Sequence, residues 1–145
     1  VDVPEWFRTL DAEQQVTANC LASVLRDLRE RGWVHHIPRL MVLGNYALQR
    51  GWDPAQVTAW FHEVFVDGYD WVMLPNVTGM SQHADGGLMA TKPYAAGGAY
   101  LNRMSDHCKA CPYTPSARVG PTACPFTAGY WAFLDRTRAA DNPTT

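Results

Sequence analysis

Four cysteines, Cys20, Cys108, Cys111 and Cys124, are the residues of this 145-residue chain whose type and spacing speak most directly of chemistry. Cys108 and Cys111 form a C-x-x-C pair, a spacing that turns two thiolates toward one metal and recurs in zinc and iron–sulfur sites. Cys124 follows after twelve intervening residues and is joined directly to Pro125. A Cys-Pro step also ends the bacterial ferredoxin-type run, where proline removes a backbone donor and steers the chain away from the cluster. Cys20 lies 88 positions before Cys108, in the middle of a stretch patterned as a helix. That is an odd place for a zinc-knuckle ligand and a reasonable one for a cluster wedged between helices. Spacing alone leaves three outcomes open. They are an iron–sulfur cluster, a zinc site (with His107 beside Cys108 as a further ligand), and thiols that are unligated or paired as disulfides. In a cytosolic protein of this size metal binding is the better expectation than disulfides.

The elements that must position these cysteines read as helices. Val16, Cys20, Val24 and Leu28 repeat every four positions, and Leu21 and Leu25 widen the stripe, which predicts a helix from about Asp11 to Arg31 with Gly32 at its left-handed end. A second helix is expected over Pro38–Arg50, with proline in its first turn and Gly51 after its end. The third has Asp53 as cap, Pro54 at the first position and Val57, Trp60, Phe61, Val64 and Phe65 on one face. From Tyr69 to Gly98 the periodicity fails among several glycines and prolines, so a long irregular segment is expected, of the kind that carries function or is ordered by a ligand. A short helix from about Ala99 to Ser105 follows, then a Pro- and Gly-rich excursion over Lys109–Ala123. A last helix is expected from Pro125 to about Ala139, and then a polar tail, Asp141–Thr145. No strand pattern and no internal repeat stand out. The fold class read from the pattern is all-α, in one domain.

Composition narrows the classes. Hydrophobic residues make up 47% and charged residues 18%, as in a folded globular protein. The formal net charge of −2 gives no whole-chain argument for nucleic acid or membrane. No apolar run reaches the roughly 18 residues a membrane span requires. The start, Val1 to Trp6, shows neither a basic region nor an apolar one and lacks an initiator Met, so a cytoplasmic protein and a processed or excised piece are the expectations. Six Trp and six Tyr are a heavy aromatic load, suited to core packing, to stacking and to electron transfer.

Several stretches are specific enough to resemble a known family. They are His35-His36-Ile37-Pro38-Arg39-Leu40-Met41-Val42-Leu43-Gly44-Asn45, Leu74-Pro75-Asn76-Val77-Thr78-Gly79-Met80-Ser81-Gln82, Ala84-Asp85-Gly86-Gly87, Thr91-Lys92-Pro93-Tyr94, Arg103-Met104-Ser105 and Ala123-Cys124-Pro125-Phe126. Together they resemble the iron–sulfur bacterial cryptochromes and photolyases, the prokaryotic (6-4) photolyase group, over about Trp6 to Arg138. The resemblance corresponds to the C-terminal third or so of a family member. It implies that Cys20, Cys108, Cys111 and Cys124 are the ligands of a 4Fe-4S cluster. It further implies a helical domain holding FAD, from which light-driven electron transfer repairs the (6-4) lesion of UV-damaged DNA. His35 and His36 match the tandem histidines beside the lesion, where imidazole, which exchanges protons near neutral pH, serves as general acid. Asn45, Asp67 and Trp60 resemble residues along the flavin. Leu40, Met80, Tyr94 and Tyr100 resemble those lining the lesion pocket, into which a damaged base is drawn out of the stack. Trp60 and Tyr69 resemble an aromatic electron relay.

Each of these residues also has a plainer reading. His35-His36 is an ordinary exposed pair at a helix entry, Trp60 a core residue, Asp67 a turn residue before Gly68, and Tyr94 and Tyr100 closers of the fold. The chain departs from the family in lacking the N-terminal α/β antenna domain and the helical region that grips the FAD phosphates. Phe61 stands where some relatives carry Tyr, which removes one relay step. A helical piece of this kind needs the missing N-terminal region in cis or in trans, and its exposed apolar surface favours association. Besides repair, the resemblance leaves open a blue-light photoreceptor with the same cofactors, or a cluster-stabilised helical module without catalysis.

Overall fold

The structure, a computed structural model, describes residues 1–11, 18–84 and 93–141. These residues form helices throughout, and among them no strand occurs beyond one isolated bridge between Thr114 and Ala123. The all-α reading holds. Helix α1 is a single turn, Glu5–Arg8, after Pro4. Helix α2, Asn19–Arg31, buries Cys20, Leu21, Val24, Leu25 and Leu28, the stripe expected from sequence; Val16 and the rest of 12–17 lie outside the described residues. Gly32 ends it at φ 63°, with its N–H on Leu28 O at 2.7 Å.

The expected second helix is three windings of one continuous rod: α3 (His36–Pro38), a π-wound segment π1 (Arg39–Gly44) and α4 (Asn45–Arg50), closed by Gly51 at φ 68°. Helix α5, Pro54–Val64, starts as expected: the Asp53 carboxylate accepts the Ala55 N–H at 2.8 Å.

The stretch after Tyr69 departs from the irregular segment expected. It contains α6 (Asp70–Met73) and a second π-wound segment, π2 (Leu74–Ser81). The reason is geometric. A π winding bonds i to i+5, so its inward residues do not recur at the three-and-four spacing that marks an α-helix. Pro75 falls where α6 runs into π2 and offers no N–H to the preceding turn, so the change of winding coincides with a missing backbone donor. Residues 85–92, which include Asp85, Gly86, Gly87, Thr91 and Lys92, lie outside the described residues. Then come α7 (Gly98–Met104), a 3-10 turn over His107–Ala110, and α8 (Pro125–Asp141), close to the expected bounds.

Aromatic rings hold the core. Phe7 sits 4.7 Å from the Trp52 ring and 4.5 Å from Trp60; Tyr46 is 5.6 Å from Trp52 and 5.5 Å from Phe126. Offset and edge-on contacts of this kind add to the area buried by each ring. They join α1, α4, α5 and α8 around the wholly buried Leu25, Leu43 and Ala47.

The two π segments cross closely. Gln82 Nε2 donates to Gly44 O at 3.0 Å and to Ser81 Oγ at 2.9 Å in the buried seam. A Cβ on Gly44 would overlap Ser81 Oγ and lie 3.2 Å from Arg39 O. Gly44→Ala is therefore expected to destabilise the chain by about 1–3 kcal/mol through overpacking. Ser81→Ala in the same chain should restore part of the loss, as read from urea unfolding midpoints.

Candidate functional site

The four cysteines come from four places. Cys20 lies in the first turn of α2, Cys108 in the 3-10 turn, Cys111 just beyond it and Cys124 immediately before α8. Asn19 Nδ2 donates to His107 O at 2.9 Å, which ties the start of α2 to the turn carrying Cys108. Within that turn the Cys111 N–H reaches Cys108 O at 3.3 Å, so the C-x-x-C pair is folded back on itself.

All four thiols are free, with Cys20 and Cys124 buried. Burial pushes the Cys20 thiol up to about 12, helped by the charge of Cys124 and then by those of Cys108 and Cys111. Burial, then Cys124 and Cys111, also raises Cys108. The four thus lie within electrostatic reach of one another. Among the described residues no three His, Cys, Asp or Glu side chains gather closely enough to hold a single metal ion.

Cys124 is held by packing on its far side. Gly98 leaves the room its sulfur occupies: a Cβ there would sit 2.8 Å from Cys124 Sγ and 2.7 Å from Thr127 Oγ1. Thr127 Oγ1 accepts the Gly98 N–H at 2.9 Å and donates to Pro115 O at 2.6 Å. One hydroxyl thus fixes α7, α8 and the loop between Cys111 and Cys124.

A small pocket of about 50 Å³ lies between π1 and π2, lined by His36, Arg39, Leu40, Phe61 and Asn76 among others. Arg39 dominates its electrostatics. Its guanidinium makes a two-pronged ion pair with Asp67 at 2.8 and 3.0 Å, donates to Val34 O at 2.8 Å, and lies 4.2 Å from the centre of the Phe65 ring. His36 is exposed at the rim. His35 caps α3, its Nδ1 accepting the Ile37 N–H at 3.3 Å.

Tyr94, Tyr100, Tyr130, Phe133, Met41 and His83 line a second, larger cleft of about 790 Å³. Its floor is held by Asn45, wholly buried, whose Nδ2 donates to Ala96 O at 2.8 Å and whose Oδ1 accepts the Ala96 N–H at 3.1 Å. Gln49 Nε2 shares the same carbonyl at 2.8 Å.

A (6-4) photolyase of Agrobacterium fabrum (strain C58) is 57% identical to this chain over 120 residues, 83% of the chain. The chain belongs to the photolyase family. It spans about a quarter of that photolyase's length, 24%. A second relative, the uncharacterized protein R855 of Acanthamoeba polyphaga mimivirus, is 50% identical over 54 residues, 37% of this chain and 44% of R855. No family model matches.

Besides the four cysteines, the resemblance gave roles to ten residues, and the structure divides them into several groups. His36 and Leu40 share the small pocket, with Asp67 joined to it through Arg39. Tyr94 and Tyr100 share the large cleft, and Met80, half-buried on π2, lines neither. Trp60 is buried in the core with its Nε1 on Arg8 O at 3.3 Å, while Tyr69 is 62% exposed. Asn45 spends both polar atoms on Ala96. Sequence reasoning missed Arg39, Thr127 and Asn19. Arg39 stood inside the quoted motif, but its partner is 28 positions away and no local pattern announces it. Thr127, polar in the first turn of α8, was the one visible signal. His83 had no assigned role; it lines the cleft, and its Nδ1 is buried with no hydrogen-bond partner among the described residues.

Two outcomes follow for the metal-free chain under reducing conditions. Thr127→Val strands the Gly98 N–H and should lower unfolding stability by about 1–3 kcal/mol. The folded chain holds the Cys20 proton more tightly than the unfolded chain does, so this contribution to stability is complete below pH 9.0 and is lost as pH rises toward about 12. Urea midpoints should fall across that window, and Cys20→Ala should flatten the fall.

Proposed function

We propose that this chain is the C-terminal helical portion of a light-dependent photolyase that repairs (6-4) photoproducts in UV-damaged DNA. The observation that carries the reading is the 57% identity to a (6-4) photolyase across most of the chain. In this reading the protein works with the remaining, N-terminal part of the photolyase in cis or in trans, in the cytoplasm. Among the described residues no helix is long and apolar enough to cross a membrane.

Cys20, Cys108, Cys111 and Cys124 would hold a 4Fe-4S cluster. An all-thiol donor set with no disulfide fits iron–sulfur chemistry. The choice of a cluster over a lone zinc ion rests on the C-x-x-C pair, the Cys-Pro step and the photolyase relationship. Ligation requires thiolates, so loading the site must expel the protons that burial otherwise retains, and binding free energy becomes folding free energy. The minimum role is a clamp joining α2 to the start of α8.

FAD, when bound in its reduced form, supplies the electron for lesion cleavage. The pocket beside His36 is too small for a three-ring flavin, so in this reading these residues contribute one wall and the part of the photolyase outside the given sequence supplies the rest. Arg39 fixes Asp67 at that wall as a neutralised pair. Trp60 stands one ring behind it, 5.1 Å from Phe61, and the resemblance assigns it with exposed Tyr69 to an electron relay in which Phe61 is the step this chain lacks. Asn45 acts on the site by setting the Ala96 peptide and with it Tyr94.

For the lesion, His36 at the pocket rim is the general acid, and the His35 cap sets the backbone that presents it. Leu40 and Met80 supply apolar surface, and Tyr94 and Tyr100 stack on the extruded base.

The test is iron, sulfide and flavin analysis of anaerobically purified protein, followed by illumination with (6-4)-containing DNA in the presence of the N-terminal region. About four iron and four sulfide per chain, with loss of sulfide in Cys20→Ser, are expected. His36→Ala should lower repair by about 10²–10⁴-fold with the cluster retained. Zinc without sulfide would remove the cluster assignment, and a flavin-loaded protein that repairs nothing would favour the photoreceptor role over repair.

A further inference from the structure

Resting on the photolyase reading, we infer that the loop between Cys111 and Cys124 is a DNA-strand contact, with Arg118 and Trp131 binding a nucleotide that flanks the lesion. The large cleft does not end at Tyr100 and Tyr130. A second recess of about 380 Å³ shares Ala95, Ala96, Tyr100 and Tyr130 with it and continues to Ser116, Arg118 and Trp131. Among the described residues no carboxylate lines either recess. The Arg118 guanidinium lies 4.3 Å from the centre of the Trp131 ring, and no carboxylate among the described residues pairs with it. Trp131 is itself 43% exposed. Arg103 sits 5.8 Å from the Tyr100 ring in the same way.

A cation with unspent N–H groups, placed over an open indole and beside two tyrosines, offers both things a single strand needs. The planar faces take bases, and the guanidinium takes a phosphate. An uncharged apolar ligand would leave the guanidinium unused, and an anionic ligand without rings would leave the aromatic wall unused.

The loop is built to hold that position. The Thr114 N–H meets Thr122 O at 2.8 Å, closing the neck, and Thr127 Oγ1 grips Pro115 O at 2.6 Å. Arg118 therefore stands on a closed loop whose two ends are Cys111 and Cys124. The grip of the thiol site on those ends sets where the guanidinium meets the strand, and Cys124 shares its packing with the Gly98–Thr127 contact at the base of the cleft.

The experiment is fluorescence anisotropy in the dark, across a salt series, on the complete photolyase containing this chain. The probes are a (6-4)-containing duplex and an undamaged single strand. Arg118→Ala is expected to weaken both by about three- to tenfold at low salt and to lower the log–log salt slope by about 0.7–0.9, one phosphate's worth. Trp131→Ala should weaken binding by about fivefold or more with the slope kept. Arg118 is exposed, so its variant tests the idea even where Trp131→Ala fails to fold. If the parent protein binds the lesion and Arg118→Ala changes neither affinity nor slope, the loop assignment falls while the photolyase reading stands. That includes the case in which the rest of the chain covers this face. If the parent protein binds neither probe, both fall.

Discussion

The Thr127 hydroxyl is the point on which the cysteine site and the aromatic cleft both depend. It takes the Gly98 N–H at the start of α7 and gives its own proton to Pro115 in the loop. It does so beside Cys124 Sγ, in a space that exists only because residue 98 lacks a side chain. Without that pairing the end of the loop carrying Tyr94, the entry to α7 and the segment after Cys111 would each be anchored separately. With it, a shift in any one must move the others. Cys20 and Cys108, which the sequence places 88 positions apart, are brought into register by a separate contact, Asn19 on the His107 carbonyl.

Arg39 plays the matching part at the other pocket. Its charge is divided among a carboxylate, a carbonyl and an aromatic face, so it is held without a dry, unpaired cation. The Asp67 carboxylate is half-exposed, which leaves the pair open to a ligand on that side. The aromatic residues divide in a similar way. Trp52 and Trp60 are spent on the core, whereas Trp33, Trp71 and Trp131 stand 45%, 78% and 43% exposed.

Much of this was legible before any coordinates. The α2 stripe, the Asp53 cap, the paired glycines after two helices and the Cys-Pro opening of α8 are local rules, each satisfied within a few residues of itself. The cysteines stood out because thiols at ligand spacing are rare, but the spacing left zinc and iron–sulfur chemistry both open, and the cluster came from the resemblance. What sequence could not supply was partnership over distance. Nothing near Arg39 points to Asp67, nothing near Asn45 points to Ala96, and nothing near Asn19 points to His107. The π segments failed for another reason: their period is not the one an amphipathic search looks for, so Leu74–Ser81 read as disorder of pattern when it is order of a different pitch.

That pitch has an evolutionary consequence. A π turn is an α-helix that has accepted an extra residue, and Arg39–Gly44 lies upstream of both amides that grip Ala96. Loss of one residue there would let the rod relax to α winding and swing everything beyond it by about 100°. Asn45 and Gln49 would leave the Ala96 peptide together, and the floor of the tyrosine cleft would go with them. Substitution is tolerable along this rod at many positions, but its length is not negotiable. A relative that has dropped a residue from this rod has lost the alignment of Asn45 and Gln49 even where every remaining side chain is unchanged.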